Sequence, residues 1–155
     1  MGSRVLHGIK LADFVPGPTG IMTLNVYRRG LLIERSVLKN LVVTASKAPL
    51  ANLLGGNVAN NSVTTIGYGT GTAAPVIGNT GLTSPFTKAV DAVTYPAAGQ
   101  VSFAFSLATV EDNGVAISEF GLFTGAGALF SRLVRSSPLN KLSDISLAGT
   151  WVITF

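Results

Sequence analysis

The chain contains no cysteine, which excludes disulfides and thiolate metal sites and leaves the redox compartment unmarked. Charge is nearly as scarce. Only 12% of the 155 residues are Asp, Glu, Lys or Arg, against about 25% in an average soluble domain. The folded surface must therefore be built largely from Ser, Thr, Asn, Gly and apolar side chains, and a surface of that kind favours permanent association. There is one histidine, His7, so a Ser-His-Asp triad would have to draw its base from the N-terminal stretch. An exposed or subunit-packed imidazole is the plainer reading. Long apolar runs are also missing: no stretch approaches the roughly 20 residues that span a bilayer. Val5–Leu11, broken by His7, Gly8 and Lys10, does not make a secretory h-region. Assembly in a cytosol, with no membrane partner, is the expectation.

What charge there is does not cluster. The formal charge is +4, but the basic residues are scattered from Arg4 to Lys141 and no run exceeds the pair Arg28-Arg29. A nucleic-acid module concentrates such groups in a stripe that follows phosphates, so no nucleic-acid partner is expected. Among the acids only Glu111-Asp112 stand together, followed by Asn113-Gly114. That string suits a polar hairpin turn better than a calcium loop, which needs alternating ligands and a distal glutamate. Neither a catalytic group nor a cofactor site is predicted.

The apolar residues carry the structural signal. Met22, Leu24 and Val26 alternate with polar neighbours, as do Val101, Phe103, Phe105 and Leu107, the period-two signature of strands with one buried face. Ile145, Leu147, Trp151, Ile153 and Phe155 share one face of a last strand. Arg29-Gly30 reads as a hairpin turn into Leu31–Val37, and Thr124-Gly125-Ala126-Gly127 reads as the turn between Val115–Phe123 and Ala128–Val134. Val63–Tyr68 and Phe86–Tyr95 are further strands. One helix is expected over Thr44–Gly56, capped by Thr44 or Ser46 and ended by a left-handed Gly55, with Leu50, Leu53 and Leu54 as its apolar face. The reading is a mainly all-β chain: an antiparallel β-sandwich or jelly-roll-like barrel over residues 21–155 with one short helix. Residues 1–20 lack periodicity and end in Pro16-Gly17-Pro18-Thr19-Gly20. They read as an extended N-terminal arm held by a neighbouring subunit.

Gly67-Tyr68-Gly69-Thr70-Gly71-Thr72 has the look of a phosphate-cradling loop, but no P-loop lysine follows and Ala73-Ala74-Pro75 leads into more loop rather than a helix. A strand-to-loop turn fits better. Taken with Gly78-Asn79-Thr80-Gly81-Leu82, then Glu119-Phe120-Gly121-Leu122-Phe123, Gly127–Arg132 and Trp151–Phe155, the pattern resembles bacteriophage tail structural proteins. These are tail-collar, tail-fibre-anchoring and baseplate-associated modules, and the resemblance spans about residues 40–155. It implies a non-enzymatic virion protein without cofactors, made in the host cytoplasm, whose partners are copies of itself and other virion proteins of tail or capsid. Because the sequence ends at Phe155, inside the last strand, no fibre shaft is expected. A capsid decoration (cement) protein is the structural rival, and a carbohydrate-binding module on the virion surface is a further one.

Contacts between subunits are expected first in the arm, at Val5, Leu6, Ile9, Leu11, Phe14 and Val15, and second in the loop, at Thr72, Pro75, Leu82 and Pro85. Within the motif, Glu119 is placed to meet Arg132 or Arg135 across a hairpin. A fold-stabilising role for these residues is favoured over a dedicated contact site.

Overall fold

A computed structural model describes residues 16–155. The expected arm contacts Val5, Leu6, Ile9, Leu11, Phe14 and Val15, and the lone His7, lie outside the described residues. Among the described residues the protein is mainly antiparallel β with one short α-helix. Its strands are β1 (Thr19–Arg28), β2 (Leu31–Val42), β3 (Val63–Gly69), β4 (Phe86–Ala89), β5 (Ala92–Thr94), β6 (Gln100–Leu107), β7 (Val115–Thr124), β8 (Leu129–Lys141) and β9 (Ile145–Thr154). They form one nine-stranded sheet in the order β4-β3-β7-β8-β2-β1-β9-β6-β5.

That sheet curls into a half-barrel because two segments turn from one half to the other. β2 pairs with β1 from Leu31 to Asn40, then its last residues, Leu41 and Val42, pair with Arg132 and Ser131 of β8. At the sheet's two edges, β4 and β5 are joined by only Val90 and Asp91. Val90 donates its N–H to Thr64 of β3, and Asp91 donates to Ala104 of β6, at 3.0 and 2.8 Å. The edges therefore meet at this link. Both edge strands are short, which limits the unpaired backbone they offer.

The inner faces of the two halves share one core. Met22, Leu24 and Val26 of β1, Phe105 of β6 and Trp151 of β9 come from one half; Ile66, Tyr68 and Phe120 come from the other. All are at most 1% exposed. The Tyr68 hydroxyl crosses the core and donates to the Ser106 carbonyl at 3.0 Å, so its polar end is satisfied, whereas the buried Trp151 Nε1 has no hydrogen-bond partner among the described residues. The β9 alternation skips one beat at Gly149, which pairs with both Leu24 and Phe105. A Cβ there would stand 2.7 Å from the Phe105 ring; the glycine makes the room the ring occupies.

Several expectations need correction. The single strand read over Phe86–Tyr95 is two strands on opposite edges, because its first part pairs with β3 and its last part with β6. Phe155 is 56% exposed rather than in the core with Ile153. The helix opens as a 3-10 turn, Thr44–Ser46, and continues as α1 (Lys47–Leu54). Neither Thr44 nor Ser46 caps it by a side-chain hydrogen bond. Gly56, not Gly55, takes the left-handed conformation at φ 84°, and Leu54 points to solvent at 92% exposure. The arm ends earlier than expected: Thr19 and Gly20 already pair with Thr154 and Ile153.

Candidate functional site

The motif residues converge on one buried ion pair. Glu119 and Arg132 lie on facing strands β7 and β8, with side chains 0% and 6% exposed, and the Arg132 Nε donates to a Glu119 oxygen at 2.7 Å. The other Glu119 oxygen accepts from the backbone N–H groups of Gly71 and Thr83. Arg132 donates onward to the Ala73 carbonyl and to Asn79 Oδ1, both at 3.0 Å. Asn79 Oδ1 in turn accepts from the Val76 N–H at 2.8 Å. Together these bonds tie the loop between β3 and β4 back over the outer face of its own half of the sheet.

The Gly-x-Gly-x-Gly spacing follows from that geometry. Ile66 and Tyr68 point into the core, so Gly67, Gly69 and Gly71 fall on the other side. A Cβ on Gly69 or Gly71 would stand 2.7 or 2.6 Å from Glu119, and one on Gly67 would stand 2.8 Å from the Phe123 ring. Gly67 pairs with Gly121 across the strands, and Leu82 docks over the bare floor the two glycines leave. A second cluster forms there from Val43, Phe123 and Leu129, with Ala45 and Leu82 packed against it. The loop is held by charge-assisted hydrogen bonds at one end and apolar contact at the other. Removing one partner of a buried ion pair costs about 3–5 kcal/mol, so this node is the loop's main constraint.

Of the loop residues expected at an interface, Thr72 and Pro85 are exposed, Pro75 is half-buried, and Leu82 spends its side chain on the chain's own second cluster. Of the two arginines open as partners of Glu119, Arg132 takes the role; Arg135 instead binds Glu34 of β2 at 3.0 Å. Glu111 pairs with Lys88 at 2.9 Å. The N–H of Ala108, then Lys88, hold the Glu111 carboxyl below its ordinary range. Lys141, with its residue fully buried, donates to Asn113 Oδ1 and to the Thr109 and Leu142 carbonyls; burial pushes its ammonium down. Among the described residues no group of three His, Cys, Asp or Glu is placed to hold a metal ion, and no helix is long and apolar enough to cross a membrane.

Two surfaces were not read from the sequence. The first is the outer face of β2. In the β1–β2 pairing Met22 faces Leu38, Leu24 faces Ser36 and Val26 faces Glu34. Directly paired residues share a side of the sheet, so Glu34 and Ser36 point toward the core. Leu32, paired with Tyr27, and Val37, paired with Thr23, then point outward at 53% and 66% exposure, and the unpaired Ile33 beside Leu32 is 53% exposed. Ile21 of β1 adds a fourth apolar side chain to this face. The second surface is a cleft of about 850 Å³ where the two halves separate beyond Val90–Asp91, lined by apolar residues of α1, β3, β5 and β6.

In comparisons with known proteins, the chain matches no family model, no curated protein and no solved structure.

Proposed function

We propose that the chain is a non-enzymatic structural subunit of a bacteriophage particle, an adaptor or fibre-anchoring piece of the tail, collar or baseplate. It works by contact with copies of itself and with other virion proteins. The observation that carries this reading is the reversed polarity of β2. A strand that turns Glu34 and Ser36 inward, Leu32 and Val37 outward, and leaves Ile33 exposed at its bulge is poorly suited to a solitary domain in water. It suits a subunit whose outer face is covered by a second copy. Burying each such side chain contributes roughly 1.5–3 kcal/mol, enough for a few of them to drive association.

The disposition of charge supports the same reading. Arg28 and Arg29 face Asp144, and Lys88, Arg132 and Arg135 each face an acid, which leaves no basic stripe among these residues for phosphates to follow. The polar groups of the loop motif are spent on holding the loop. Trp151 lies fully inside the core, where it offers no stacking platform to a sugar.

Light scattering on the purified chain tests the first half of the proposal, with an oligomer of fixed stoichiometry expected and a monomer at all concentrations overturning it. Locating the chain by labelled antibody in intact particles tests the second half. Density at the tail or baseplate is expected; density on the capsid lattice would make it the cement protein instead.

A further inference from the structure

We infer that the apolar cleft at the open end of the half-barrel receives the N-terminal segment, centred on residues 11–15, of a second copy of the chain. This rests on the reading of the chain as a self-assembling subunit and names the site through which one copy holds the next.

The cleft is an unfinished piece of core. Val63 of β3 stands on one side, Val93 and Val101 of β5 and β6 on the other, with Phe103 and Phe130 as its floor and Leu53 of α1 closing one end. Not one of the described lining residues is charged and most are apolar, so the cleft suits an occupant that presents apolar side chains. Val93, Tyr95 and Phe155 at its rim are 42%, 78% and 56% exposed, a cost in water that an occupant removes. Next to it, β5 pairs with β6 and, among the described residues, with no strand on its other side, so an extended segment laid along β5 finds backbone donors and acceptors as well as pockets.

The chain supplies such a segment at this same end of the sheet. Thr19, the first residue of β1, pairs with Thr154, and the next residue, Phe155, lines the cleft. Gly17 and Pro18 lie against a small neighbouring cavity whose lining includes Leu50, and Leu50 also lines the cleft. Before them come Leu11, Phe14 and Val15, preceded by Val5, Leu6 and Ile9. Fifteen residues reach up to about 50 Å when extended, ample to enter an adjacent subunit. Pro16 and Pro18 fix their φ, which favours an extended link between the segment and β1.

The absence of cysteine makes the test clean. Full-length Phe14→Cys and Val93→Cys variants, mixed in equal amounts and mildly oxidised, are expected to give a covalent dimer whose linked peptides join positions 14 and 93 by mass spectrometry. The yield should be about tenfold above that of Phe14→Cys mixed with Ser143→Cys, which lies at the other end of the sheet, because docking raises effective concentration. No 14–93 link above that control would overturn the inference. So would a double variant that forms only an intrachain bond, since the segment would then sit on its own copy. Light scattering of the unmodified chain separates the two failures: an oligomer without the link defeats only this inference, and a monomer defeats the assembly reading with it.

Discussion

β2 and β9 flank the same strand, run antiparallel to it, and use their two faces in opposite ways. β9 sends Ile145, Leu147, Trp151 and Ile153 into the core, all at 2% exposure or less, and Ser146, Ala148 and Thr150 outward. β2 sends Glu34, Ser36, Leu38 and Asn40 inward and Leu32 and Val37 outward, with Ile33 exposed between Leu32 and Glu34. The difference comes from a single residue. The two-residue turn at Arg29-Gly30, with φ of 49° and 80°, pairs Arg28 with Leu31 and Tyr27 with Leu32, but Val26 then pairs with Glu34. Ile33 is left over as a bulge. Without it, Ile33 and Val37 would fall on the core side, since a one-residue slip exchanges the two faces of a strand. Side-chain direction here is a property of register, and register is a property of one extra residue.

The most severe way to break the comparison is at β9. Trp151→Ala removes the largest fully buried side chain, and loss of a buried aromatic costs about 3–5 kcal/mol. Urea unfolding should show that loss, or the variant should fail to accumulate as folded protein; a change below about 1 kcal/mol would mean that β9 is not the core strand.

A smaller effect is expected where β2 turns its polar side inward. Arg135, with its side chain 8% exposed, donates to both oxygens of Glu34, whose side chain is 35% exposed. Arg135→Met strips the carboxylate of this partner while keeping most of the aliphatic stem. With Glu34 partly solvated, the expected cost is about 1–2 kcal/mol by urea unfolding. A neutral outcome would show that the pair is not what makes an inward glutamate tolerable.

Acid sharpens the same point. The Ser36 hydroxyl, then Arg135, hold the Glu34 carboxyl below its ordinary value of 4.5, against the opposing effect of burial. A carboxyl depressed in the folded state contributes stability that is present above its unfolded value and lost as pH falls through the folded one. The stability difference between the parent chain and Glu34→Gln should therefore be constant near neutrality and shrink as pH drops below 4.5. A difference that stays constant down to full protonation would remove the ionised carboxylate from the account.

These contrasts also mark what the sequence makes legible. Strict alternation in β1, β6 and β9 announces both strand and buried face, because each carries large apolar residues at period two against small polar ones. The turn at Arg29-Gly30 and the one after Thr124 are visible in their glycines, and a cross-hairpin partner for Glu119 is visible as Arg132 or Arg135, a choice that only the structure makes. The bulge at Ile33 is not, since Leu31-Leu32-Ile33 is apolar at every position and gives no phase. Nor is the switch at Val90–Asp91, where the pairing partner changes but the composition does not. The glycines at 67, 69 and 71 looked like turn residues. The spacing of two between Gly67 and Gly69 on β3, continued by Gly71 just past its end, is the available sign that they bare one face for a loop to lie on. The cleft had no sign at all, because a residue lining an unfilled space and a residue in a filled core are chosen by the same chemistry.

The gentlest change separates folding from assembly. Val37 is 66% exposed and faces Thr23 across the strand pair, with Arg35 and Lys39 next to it along the same face. Val37→Asp places a carboxylate between two cations on an open surface, so the isolated domain should unfold within about 0.5 kcal/mol of the parent. In an assembly that covers this face, each copy would lose a buried apolar side chain and bury a charge that must be paired or pay heavily for dehydration. The oligomer should dissociate at concentrations where the parent stays intact, read by light scattering over a dilution series. A variant as stable and as oligomeric as the parent would mean that β2's outward apolar row contacts nothing, and the reversal of its faces would then be an accident of the bulge rather than its purpose.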